Sequence, residues 1–252
     1  MSQKPRRPFV CGNNTMSAIC AARPDADKYV VTASPRIGDE QYVFMSRKGA
    51  VEVDHAGAVY PDGAGIHARP PYAARFRIRS SFWRRWRLTV GTVHTSPKAA
   101  KKEIANLPKV LAWMDATFGG GSRLIAGDYN ADGSYFSESS WANSNLGAAF
   151  KGYSLLTDNE LDTTVAGSSN TYDRIIADSA LARSAGDSQV FRLDSIDLSA
   201  VRVEGCRMGY VNKRLCSKSF ARMKWEDYTD KAKRELAAEI SDHNPVGVCL
   251  RG

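Results

Sequence analysis

The chain has 252 residues, 43% of them hydrophobic, enough to bury one large core and better suited to a single α/β domain than to two small ones. Thirty-five Lys and Arg against 27 Asp and Glu leave a net charge of +8, which favours polyanionic partners through phosphate contact, with an ordinary basic soluble protein as the plain alternative. No run of about 18 apolar residues is present, which excludes a bilayer-spanning helix and leaves membranes off the list of expected partners.

Residues 1 to 27, rich in Pro, Arg, Asn and Ala, lack helical or strand periodicity and are expected to form an irregular segment. Lys4, Arg6 and Arg7 are followed by Asn13, Asn14, Ser17 and Arg23, so no apolar stretch suits a signal peptide and an intracellular, soluble protein is expected. Short β-rich runs follow at Tyr29 to Thr32, Tyr42 to Met45, Ala73 to Ile78, Arg87 to Val93, Arg123 to Ala126, Arg174 to Ala177 and Val246 to Leu250. Between Lys98 and Phe118, Ile104, Leu107, Leu111 and Met114 fall on one helical face, Pro108 is expected to bend the helix, and Gly119 to Gly121 stop it. A second helix is expected from about Asp230 to Glu239, with Ala232, Leu236 and Ile240 on its apolar side.

Between Val201 and Lys233, Arg202, Arg207, Lys213, Arg214, Lys218, Arg222 and Lys224 interleave with Tyr210, Phe220 and Trp225; this pattern suits either a grip on phosphates with stacking on bases or solvated charge around an anchored loop. The five cysteines form no CxxC pattern, and Cys206 and Cys216 are expected as two thiols in a reducing cell, ahead of a disulfide or a metal pair.

Three strings sit where strands should end: Val93-His94-Thr95, Gly127-Asp128-Tyr129-Asn130-Ala131-Asp132, and Ser241-Asp242-His243-Asn244-Pro245. Strand ends feeding loops are where α/β sheets assemble sites. Hydrolysing a phosphodiester needs a base for water, an acid for the leaving oxygen and positive charge on the transition state, and two histidines with carboxylates and a metal meet all three needs. Each string alone has a structural explanation: a lone strand-end histidine is usually structural, and Gly, Asp and Asn favour Asx turns. An extended segment would set Asp128 and Asn130 on one side, one as ligand to a hard cation and the other as donor to a phosphoryl oxygen.

Taken in order with Tyr172-Asp173-Arg174-Ile175, these strings resemble the deoxyribonuclease I-like endonuclease/exonuclease/phosphatase superfamily. Ser134-Tyr135, Ser139-Ser140-Trp141, Asp162-Thr163-Thr164 and Asp39-Glu40-Gln41-Tyr42-Val43-Phe44 extend the match over residues 28 to 252, with residues 201 to 233 as a basic insertion. The resemblance implies a four-layered α/β sandwich, two packed, largely antiparallel sheets flanked by helices, and divalent-metal-dependent endonucleolytic cleavage of DNA. Carried over, His94 and His243 are the acid and base pair, Glu40 holds His94 and Asp173 holds His243. Asp128, Asn130 and Asp242 go to the metal, Mg²⁺ first with Mn²⁺ or Ca²⁺ as alternatives, and Arg69, Asn130 and Tyr172 go to the substrate.

The family also opens with a strand bearing a phosphate-binding asparagine and a second bearing a metal-ligating glutamate, and residues 1 to 27 match neither. Sheet edges left open by that difference would call for a covering protein partner. The family's disulfide beside the site is likewise unmatched, with Gly133 and Asn170 at its positions. Two further readings stand beside the nuclease: a weakly active or non-catalytic DNA-binding chain of the same fold, and a phosphatase or lipid phosphodiesterase.

Overall fold

The computed structural model describes residues 26–79, 86–137, 139–140 and 150–250. The irregular segment expected at the N-terminus therefore lies, up to residue 25, outside the described residues, as does Trp141. The elements in chain order are β1 (Tyr29–Ala33), β2 (Val43–Arg47), β3 (Val51–Val59), β4 (Tyr72–Ile78), β5 (Trp86–His94), α1 (Ala100–Phe118), β6 (Ser122–Asp128), β7 (Tyr153–Leu155), β8 (Asp173–Asp178), α2 (Ser179–Ser184), β9 (Ala185–Val190), α3 (Ser199–Met208), α4 (Lys218–Arg222), α5 (Asp230–Ala238) and β10 (Val246–Leu250).

Six strands form the main sheet in the order β3-β4-β5-β6-β8-β7. Only β5 and β6 run parallel, joined by the crossover helix α1, and the other neighbours are antiparallel. Side chains alternate across a strand, and the alternation divides this sheet cleanly. Val93, Ile125 and Ile176 join Ile104, Leu107, Leu111 and Met114 of α1 in one core, and these four α1 residues are at most 1% exposed. Gly91 permits this close approach, because a Cβ there would lie 2.9 Å from Ile125 and 3.2 Å from the Met114 sulfur. Pro108 lies within α1, which runs unbroken from Ala100 to Phe118.

The opposite face carries Leu88 and Ala177, packed with Val90, Leu124 and, from β10, Leu250. Phe44 of β2 stacks on Tyr72 and meets Phe76 edge-on, which seats the β1–β2 pair on β4. The second layer is thus two separate antiparallel pairs, β1–β2 and β9–β10; among the described residues neither is hydrogen-bonded into a larger sheet. Layering of α and β follows the expectation, whereas the second sheet is not continuous.

A second core lies in the C-terminal third. Trp225, Tyr228, Leu215 and Val211 pack with Ala232 and Leu236 of α5, and Phe220 lies against them. The aromatic residues expected to stack on bases are therefore largely committed to this core; Tyr210, 65% exposed, is the exception. Lys233 sits over Trp225 and Arg214 over Phe220, so part of the local charge answers these rings. The α5 helix ends at Ala238, and Ile240, expected on its apolar side, is 50% exposed.

The expectation of two free thiols is corrected: Cys206, near the end of α3, is disulfide-bonded to Cys216, with Cα atoms 5.5 Å apart. The turn at Gly209, in the left-handed region, reverses the chain and brings them together. A disulfide belongs to oxidising surroundings, which removes the support that reduced thiols lent to an intracellular location. Among the described residues no helix is long and apolar enough to cross a membrane.

Candidate active site

Strand register assembles the centre of the site. In the parallel pairing of β5 and β6, His94 lies opposite Asp128, and in the antiparallel pairing of β6 and β8, Asp128 lies opposite Asp173. All three terminate their strands at one end of the sheet and belong to the face that packs against the second layer. His243 arrives from outside through an isolated bridge to Thr164, with Asn244 N–H donating to Thr163 O and Val165 N–H to Asp242 O. Asn244, 2% exposed, fixes this corner: its Nδ2 donates to Thr164 O and its Oδ1 accepts Leu193 N–H.

Each imidazole has a carboxylate at Nδ1. His94 Nδ1 lies 2.8 Å from Glu40 Oε2, and His243 Nδ1 lies 2.6 Å from Asp173 Oδ2. Their Nε2 atoms face one oxygen, Asp128 Oδ2, at 3.4 Å and 3.8 Å. The Asp173 hydrogen bond raises His243 to about 9, outweighing the opposing effect of partial burial, and the nearby Asp128 and Asp242 charges add to the rise. His243 is therefore an imidazolium at neutral pH. Burial pushes the Asp128 carboxyl upward, with Asn130 N–H and the two imidazoles pulling the other way.

Arg69 joins the site by an unforeseen route. Its Nε lies 2.5 Å from Glu40 Oε1 and its Nη1 reaches His94 O at 3.5 Å, so Glu40 is clamped between Arg69 and His94. Tyr42, whose hydroxyl accepts His94 N–H, secures the same segment. Tyr172 stands with its ring 5.9 Å from that of His243, and Tyr135, 44% exposed, stands 5.8 Å beyond it.

The expected extended geometry of Asn130 is corrected. β6 stops at Asp128, Asn130 takes φ +46°, and its N–H donates to Asp128 Oδ1, an Asx turn that a short polar side chain tolerates. Its side chain is buried, with Nδ2 donating to Thr95 O, so it ties the two strand-end loops together. Asp242 is exposed beside His243. Gly133 and Asn170 are neighbours in space: a Cβ on Gly133 would lie 3.0 Å from Asn170 Oδ1.

Among the described residues no group of three or more His, Cys, Asp or Glu is arranged as a metal-ligand set. A divalent ion held by one or two carboxylates completes its shell with water and substrate phosphate, and Asp128, which faces both imidazoles, is such a carboxylate.

Known proteins are similar to this chain in sequence. Rabbit (Oryctolagus cuniculus) deoxyribonuclease-1 is 30% identical over 170 residues, covering 64% of this chain, and mouse (Mus musculus) deoxyribonuclease-1 is 27% identical over 236 residues, covering 91%. The chain is thus similar in sequence to deoxyribonucleases, and it has the fold of the endonuclease/exonuclease/phosphatase superfamily. The chain spans 59% of the rabbit relative's length and 71% of the mouse one's. Among solved structures, the endonuclease/exonuclease/phosphatase from Bacteroides vulgatus superposes with a TM-score of 0.50 at 12% identity, over 89% of this chain and 77% of that one, a likeness of fold. No protein-family model matches the chain.

Proposed function

We propose that this chain hydrolyses phosphodiester bonds of DNA as a divalent-metal-dependent endonuclease with a two-histidine acid and base mechanism. One observation carries the proposal: two carboxylate-held imidazoles direct their Nε2 atoms at the same oxygen, Asp128 Oδ2. A phosphate seated there would have a proton donor on one side and a proton acceptor on the other. His243, holding its proton through Asp173, suits protonation of the leaving oxygen. His94, oriented by Glu40 with Nε2 open toward the site, suits removal of a proton from water. The carboxylate partners fix which ring nitrogen faces the substrate. Arg69, a quarter exposed beside Glu40, would meet an incoming phosphate, and Tyr172 would flank it.

Asp128, with Asp242 nearby, would hold the ion, which when bound would neutralise charge developing on the phosphoryl oxygens. DNA as substrate is favoured by the deoxyribonuclease names of the relatives and by the +8 charge. The test is nicking of supercoiled plasmid with Mg²⁺ or Mn²⁺, beside EDTA and the double variant His94→Ala, His243→Ala. Metal-dependent nicking that falls at least about 10³-fold in the double variant is expected. Intact plasmid from demonstrably folded protein, or nicking that survives the double substitution, would overturn the proposal.

A further inference from the structure

The proposed steps leave one buried ionisable pair unused. Glu103, in the first turn of α1, and the His67 side chain are both fully buried. A desolvated carboxylate is costly unless its oxygens are partnered. Glu103 Oε1 accepts Ser96 N–H at 3.0 Å, two residues beyond His94. Its other oxygen, Oε2, faces His67 Nδ1 at 3.5 Å, and neither of these two atoms has a hydrogen-bond partner, so they face each other across that gap. On the far side of the ring, Asn106 Nδ2 lies 3.0 Å from His67 Nε2. An amide nitrogen donates, so Nε2 is the acceptor and the ring proton sits on Nδ1, toward Glu103.

This network closes around His94. The His67 N–H donates to Asp62 Oδ2 at 2.7 Å, and two residues later Arg69 grips Glu40 and reaches His94 O. His94 is thus held by its ring through Glu40, by its carbonyl through Arg69, and by its following turn through Ser96 and Glu103. We infer that Glu103, secured by His67, is a positioning residue that sets the turn after β5 and with it the direction of the His94 Nε2. The inference rests on the hydrolase proposal for its catalytic consequence. A purely structural role for Glu103 would be to stabilise the start of α1 with its charge.

The two roles separate in Glu103→Ala and Glu103→Gln, made in the full chain. With bis(p-nitrophenyl) phosphate, Glu103→Ala is expected to lower kcat at least about tenfold with KM nearly unchanged, because small misplacements of a reacting group are costly. Glu103→Gln, which keeps an oxygen for Ser96 N–H, is expected to recover most of that loss. By NMR without substrate, the ring nitrogens of His94 should shift in Glu103→Ala. The Ser96 amide proton, downfield beside a carboxylate, should move upfield in Glu103→Gln even if the alanine variant does not fold. Parent kcat in folded Glu103→Ala, a glutamine variant as slow as the alanine one, or an unmoved Ser96 amide would each overturn the inference. A parent chain without hydrolysis would sink the hydrolase proposal instead, while the NMR measurements still decide whether Glu103 holds the turn.

Discussion

Replacing Asp173 by Asn keeps the shape of the Asp173–His243 pair and removes its charge. In the folded chain His243 lies at about 9 against an ordinary value of 6.5, with the Asp173 hydrogen bond as the largest cause. At about 1.4 kcal/mol per pKa unit, a shift of that size corresponds to about 3 kcal/mol before screening. The His243 side chain is 24% exposed, so solvent should reduce the realised contribution to about 1 to 2 kcal/mol. Because the folded value lies above the unfolded one, this stabilisation is complete below pH 6.5 and is lost as pH rises through about 9. Denaturant unfolding in EDTA at about pH 6 and about pH 10 should therefore show a loss in the parent that Asp173→Asn lacks. An NMR titration should move the His243 midpoint downward in the variant. Activity should follow the same sign: the basic limb of the pH profile moves to lower pH, and kcat falls by about 10²-fold or more. A parent His243 that titrates near 6.5, or a variant with the parent's pH dependence of stability, would refute the reasoning.

Gly127→Ala should damage both stability and activity. Gly127 takes φ +152°, and an added Cβ would collide with the Val93 carbonyl oxygen, forcing β5 from β6 where His94 and Asp128 are paired. A loss of about 1 to 3 kcal/mol in denaturant unfolding, with a lower kcat, is expected, and parent-like values in both would show that the strands yield without cost. Converting Cys206 and Cys216 to Ser should cost about 3 kcal/mol, from the chain entropy of a loop closed across a separation of 10 residues. Thermal unfolding with and without reductant measures it, and nicking should persist because the loop contributes none of the proposed site residues.

The sequence revealed the strand-end residues better than the contacts that aim them. His94, Asp128 and Asp173 are legible because the first two close short β runs and the third opens one, and parallel or antiparallel register needs only strand order to bring them together. β3 is not among the expected strands because its Val51-Glu52-Val53-Asp54 alternation is short and gives way to His55, Ala56 and Gly57; in the sheet the two carboxylates meet Arg77 and Arg75 of β4. The basic stretch after Val201 misleads for the opposite reason. Its aromatic residues alternate with charge as they would on a nucleic-acid surface, yet the turns at Gly209 and Tyr228 fold Trp225 and Leu215 inward to form a core of their own.

Arg69 and Glu103 mark the physical limit of one-dimensional reading. An arginine before two prolines suggests an exposed loop, and a glutamate in a first helical turn suggests a solvated charge favoured by the helix dipole. Their actual partners, Glu40 for the first and Ser96 and His67 for the second, lie 29, 7 and 36 residues away in sequence, and only the closed sheet brings them within reach. What periodicity cannot contain is the aim of a side chain. The two histidines suggest acid and base chemistry, but it takes Glu40 beside one and Asp173 beside the other to decide which nitrogen each presents. The choice of acid and base therefore lies in contacts across the fold rather than in the motifs, which is why Asp173 and Glu103 are the positions where substitution should divide protonation from placement.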